Sequence, residues 1–152
     1  MGSDIRTFGI EFTDPGAQRD PAMASGLIRL GDDTEYFGAP IGYWGVDEYH
    51  AGWAAALRRI LDGETVACLP VTMSDPKTTN FVEVWTLYRD GDVVHVQNQL
   101  IFLAKLDHDF DPAEPWRSVD PRATVTEDGD AISEWTVQVT AIEEFVDSGA
   151  GR

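Results

Sequence analysis

VDEYHAGWAAALRRIL, residues 46–61, is the stretch whose reading decides the fold. Val46, Tyr49, Trp53, Leu57, Ile60 and Leu61 recur at helical spacing, so a helix here carries one apolar stripe that must be buried. Both ends agree with a helix of this length. Asp47 and Glu48 stand in the first turn and Arg58 and Arg59 in the last, each sign opposing the macrodipole, and Gly63 is placed for a left-handed C-terminal cap.

On both sides of this helix the apolar period changes to two. Before it, Phe8, Ile10 and Phe12 alternate with Gly9 and Glu11 in a strand over Thr7–Thr13, ended by Asp14-Pro15-Gly16. Ala17–Ser25 is small and polar and reads as a surface loop. Leu27–Leu30 forms a short strand closed by Gly31-Asp32-Asp33, and the aromatic stretch Tyr36–Trp44, broken by Gly38, Pro40 and Gly42, reads as an irregular strand or loop.

After the helix, strands are predicted over Thr65–Met73, Phe81–Tyr88 and Val93–Leu103, with Asp90-Gly91-Asp92 as a hairpin turn. Lys105–Pro121, rich in Asp and Pro, reads as an ordered irregular loop. A last hairpin joins Ala123–Glu127 to Ile132–Val139 through Asp128-Gly129-Asp130. A short helix over Thr140–Asp147 follows, with Thr140 as N-cap and Glu143 three residues on. Strands in series around one long helix predict an α+β fold, an antiparallel sheet with the main helix packed on a face and a short C-terminal helix. A doubly wound parallel sheet would need alternating helices and strands. At 152 residues the chain is expected to form one domain, residues 1–6 and 148–152 fraying at its ends.

Charge narrows the partner. With 27 acidic against 11 basic residues the net charge is −16, which repels phosphate backbones and attracts basic proteins; nucleic acid is not expected as a ligand. The longest apolar run, Leu100–Ala104, is too short to span a bilayer, so no membrane association is expected. Cys68 is the one cysteine, which excludes an intramolecular disulfide, fits the reducing cytoplasm and, between Ala67 and Leu69, reads as a buried strand thiol.

Motifs for chemistry are missing. His50, His95 and His108 show no metal-ligand spacing, and Asp107-His108-Asp109-Phe110-Asp111 opens like a calcium loop but has Pro112 where the turn glycine belongs and Ser118 where the closing glutamate belongs. There is no GxSxG elbow, phosphate-binding glycine loop or GxGxxG. Catalytic residues, metal and cofactor are therefore all expected to be none, and the chain is read as a binding protein rather than an enzyme.

Of five tryptophans, Trp53 lies on the helix stripe and Trp85 and Trp135 sit in strands, whereas Trp116 stands in the acidic loop. Trp116 is either a binding anchor ringed by polar groups or a lid folded back on the core.

The order Tyr43-Trp44-Gly45-Val46, Tyr49, Trp53, Leu57 and Ile60-Leu61-Asp62-Gly63, then Trp85-Thr86-Leu87-Tyr88-Arg89, Val96-Gln97-Asn98-Gln99-Leu100 and Ile132-Ser133-Glu134-Trp135, resembles a family of bacterial immunity proteins. The family is linked to contact-dependent growth inhibition and related polymorphic toxin systems, and the resemblance spans about Ile41 to Val146. It implies a cytosolic antidote that binds and blocks the toxic C-terminal domain of a cognate effector, often a nuclease; the chain itself is expected to be a monomer or weak homodimer. Anchors for such a partner are expected at Trp116, Phe110, Tyr36 and Phe37, surrounded by Asp107, Asp109, Asp111, Glu114 and Asp120. The alternative is an acidic regulator or decoy that mimics nucleic acid toward other basic proteins. The Ser133-Glu134-Trp135 run reads as strand packing.

Overall fold

The computed structural model describes residues 5–13 and 22–149. The turn expected at Asp14-Pro15-Gly16, most of the loop expected from Ala17, and the outermost parts of the expected frayed ends lie outside the described residues. The elements run β1 (Phe8–Phe12), β2 (Met23–Leu30), β3 (Asp33–Pro40), α1 (Val46–Leu61), β4 (Val66–Thr72), β5 (Phe81–Asp90), β6 (Val93–Phe102), β7 (Trp135–Gln138) and α2 (Val139–Asp147). Every strand pairing is antiparallel, and the class is α+β, as the sequence predicts.

The strands divide into two sheets, in the orders β1-β2-β3 and β4-β5-β6-β7. Three segments differ from the sequence reading. Residues 23–25, expected in a loop, open β2, and the stretch from Tyr36, expected to be irregular, continues β3 to Pro40. Leu30 pairs with Asp33 across a two-residue turn whose first residue, Gly31, has φ 67°, a value glycine adopts freely; this turn makes a regular hairpin of 23–40. The expected hairpin over 123–139 shrinks to one bridge, Val125 to Ala131, while β7 pairs instead with Val93–Val96 of β6. The arm before β7 is almost wholly exposed, so little apolar burial is available to extend its ladder.

α1 buries Tyr49, Trp53, Ala56, Leu57 and Ile60, the stripe read from its period, and Gly63 caps it at φ 99°. Trp53 joins the two sheets. Its ring centroid lies 4.9 Å from that of Phe12 on β1 and 5.9 Å from Phe37 on β3, while its Nε1–H donates to the Pro70 carbonyl of β4 at 2.7 Å. Pro70 sits on an edge strand, where its missing N–H costs no ladder bond. Removing a buried tryptophan of this kind costs about 3–5 kcal/mol.

α2 begins at Val139 with Gln138 as its N-cap and no side-chain cap, so the capping box expected at Thr140 does not form; Thr140 Oγ1 donates to Gln138 Oε1 instead. Phe145 of α2 meets Phe8 edge-on at 5.6 Å. Ile5, within the expected frayed end, accepts the Gln138 N–H at 2.7 Å. One continuous apolar core thus joins both sheets and both helices.

Candidate partner-binding surface

Residues 103–121 leave β6 through a 3-10 turn at Leu103–Lys105 and pass over α1 and β4 through a second at Pro115–Ser118. Trp116 on that second turn is half-buried against the core, with the Arg59 guanidinium 3.9 Å above its ring. The loop tryptophan is therefore a lid. It closes one side of an apolar cavity of about 310 Å³ floored by Gly52, Ala55 and Pro70, where small residues on the outer face of α1 leave room.

The other expected anchors separate. Phe110 is half-buried against the core. Tyr36 is 76% exposed, but Phe37, expected beside it as an anchor, is 8% exposed and faces inward. Neighbours on a strand point to opposite faces, and Phe37 takes the core face by crossing Gly26, where a Cβ would come within 2.3 Å of its ring. Phe37 belongs to packing.

The loop carboxylates lie on the surface. Asp107, Asp109, Asp111 and Asp120 are exposed, and Glu114, half-buried, pairs with Arg117 at 2.8 Å. Asp107 Oδ1 lies 2.7 Å from His108 Nδ1 and His108 Nε2 lies 2.9 Å from Ser118 Oγ. The imidazole holds the Asp107 carboxyl below its ordinary range, first through that hydrogen bond. Connectivity of this kind can activate a serine, yet the Asp107 side chain is 99% exposed and water competes for it. The contact chain pins the two ends of the loop together.

A polar network that sequence reading did not single out lies on the sheet face below residues 118–123. Thr86, 0% exposed, donates to Gln99 Oε1 at 2.7 Å; Gln99 Nε2 donates to Gln97 Oε1 and to the Tyr88 hydroxyl; Gln97, 1% exposed, donates to Glu134 Oε2 and to the Ala123 carbonyl. Arg122 grips Glu134 with two bonds of 2.6 and 2.8 Å, which hold the Glu134 carboxyl below its ordinary range. Tyr88 donates to the Asp120 carbonyl at 2.7 Å. The signal was present: Gln97 and Gln99, two apart on a strand, share a face, and amides covered on one face need partners. Ser133-Glu134-Trp135, read as packing, contributes the carboxylate that closes the network. Tyr88 and Arg122 also line a cleft of about 480 Å³ together with His95, Asp120 and Arg89.

Three of the sequence pieces that resemble the immunity family, those holding Thr86 and Tyr88, Gln97 and Gln99, and Glu134, thus meet in one network. Residues 39–145 match the family described as the CdiI N-terminal domain. The chain belongs to this family. The CdiI immunity protein of Enterobacter cloacae subsp. cloacae is 31% identical over 135 residues, covering 89% of this chain and 92% of that protein. A solved structure of a CdiA-CT/CdiI toxin and immunity complex from Enterobacter cloacae superposes with TM-score 0.84 at 31% identity, covering 93% of this chain and 97% of the matched one. The CdiI match includes α1 and β4–β7, the part of the chain that carried the resemblance.

Proposed function

We propose that this chain is an immunity protein that binds the toxic C-terminal domain of a cognate CdiA-type effector in the cytoplasm and blocks it. The observation that carries the reading is the likeness, over nearly the whole of both chains, to a CdiI protein solved in complex with its toxin. The net charge of −16 supports a basic toxin domain, and a nuclease is the natural target because a cleft that holds nucleic acid is cationic. The exposed carboxylates Asp107, Asp109, Asp111 and Asp120 would speed encounter with such a surface, so added salt should slow association more than it speeds dissociation. The test is growth: cells expressing the toxin domain of the effector encoded beside this chain should survive when the chain is co-expressed and die when it is replaced by an immunity protein from another system. Death in both cases would overturn the proposal.

A further inference from the structure

Between β3 of one sheet and β5–β6 of the other lies a groove of about 490 Å³, lined by Glu35, Tyr36, Glu83, Trp85, Asn98 and Trp135 among others. Among the described residues, no Lys, Arg or His lines it. We propose that this groove receives a cationic side chain of the toxin domain and so forms the anchoring part of the interface; the inference rests on the immunity reading above.

Two features make the groove fit an arginine or lysine. Trp135, half-buried, packs at a tilt on the buried Trp85 with ring centroids 5.5 Å apart, so its indole is held in place at the groove, and a cation over such a face is held by the ring quadrupole. Glu35, exposed, and Glu83, half-buried, add two carboxylates, and Asp33, which accepts the Trp135 Nε1–H at 2.9 Å, adds a third nearby. Asn98 donates to Glu83 Oε2 at 3.0 Å and orients that carboxylate. Aromatic faces and carboxylates act together most strongly once water is displaced, which a docked protein surface does.

One buried donor beside the groove is left unpaired. Trp85 is 4% exposed and its Nε1–H is buried with no acceptor among the described residues, a rare condition for a buried polar group.

Exposed apolar side chains continue the site. Leu100, 47% exposed, pairs across from Glu83, and Phe81 pairs with Phe102, the ring centroids 6.3 Å apart. Lys105 Nζ lies 5.2 Å from the Phe102 ring centroid. An aromatic and charged pocket beside exposed apolar residues is the composition of an interface hot spot. The groove meets the acidic loop through Asn98, which also lines a neighbouring depression beside Asp120.

The experiment is titration calorimetry of the full chain with the catalytically inactivated C-terminal domain of the effector encoded beside it. Glu35→Gln with Glu83→Gln should weaken binding at least tenfold, and Tyr36→Ala severalfold, while Asp109→Asn with Asp111→Asn should weaken it less than the groove pair. Thermal melts confirm that each variant folds, and Glu35→Gln alone, at an exposed position, should still weaken binding severalfold if the double variant does not fold. Binding by the unaltered chain with undiminished affinity in the groove variants overturns this inference and leaves the immunity reading standing. Failure of the unaltered chain to bind overturns both.

Discussion

The guanidinium carbon of Arg59 lies 3.9 Å above the ring of Trp116. Arg59 stands in the last turn of α1, where it also donates through Nε to the Val66 carbonyl at 2.7 Å. One residue therefore joins the helix end, the start of β4 and the acidic loop. The arginine that opposes the helix dipole in sequence becomes, in the fold, the seat of a lid.

That relationship makes Trp116 a stability residue. Trp116→Ala should cost about 2 kcal/mol, less than a fully buried tryptophan because the ring is half-buried, with ~0.5–1 kcal/mol of it from the lost cation–π contact. Urea unfolding measures the difference. Asp109→Asn with Asp111→Asn, at exposed positions, should leave the midpoint unchanged.

Tyr49 ties the two sheets through one oxygen. Its hydroxyl donates to the Pro40 carbonyl at 2.6 Å and accepts the Met73 N–H at 2.8 Å, and burial pushes its pKa up to about 12. Tyr49→Phe leaves two backbone groups unpaired and should destabilise the protein by about 2–4 kcal/mol in urea unfolding.

Glu134 makes stability depend on acid. Its carboxyl is held below the ordinary range, chiefly by the Arg122 hydrogen bonds and further by Gln97, so in the folded state it releases its proton more readily than when unfolded. The stabilisation is fully present above the ordinary glutamate range and disappears as pH falls through that range to the lowered value. Glu134→Ala should cost about 1–2 kcal/mol at pH 7. Unfolding measured along a pH series should show the gap between the two proteins closing toward acid.

Cys68 should be silent as a nucleophile. The side chain is 1% exposed, and burial pushes its pKa up to about 12, outweighing the contact with Thr86 and the charge of Arg59. The thiolate is the reacting species, so a thiol reagent at pH 8 should leave the folded protein unmodified and label it fully in urea. Rapid labelling of the folded protein would show that β4 opens.

Elements with a strong period were legible from the residues alone. Tyr49, Trp53, Leu57 and Ile60 could satisfy only a helical stripe, and the alternation of Phe8, Ile10 and Phe12 only a one-sided strand. β3 was not legible, because Gly38 and Pro40 look like breakers; the Gly31-Asp32 turn reads only as the end of a short strand, and it is the extension of β2 back to Met23 that gives residues 33–40 a partner. Of the expected anchors, Tyr36 and Phe37 were indistinguishable in composition; the hairpin register decided that one is exposed and the other packed.

Sequence by itself determined the α+β class, the position of the main helix, the acidic surplus and the family resemblance, because each depends on local period, charge count or residue order. Only the tertiary structure decided that the strands split into two sheets, that Trp116 closes a cavity, and that Gln97, Gln99, Tyr88 and Glu134 share one network. The same holds for the groove that brings Glu35 to Glu83. Those relations link residues dozens of positions apart, and only packing against a common core brings them within hydrogen-bonding or electrostatic reach.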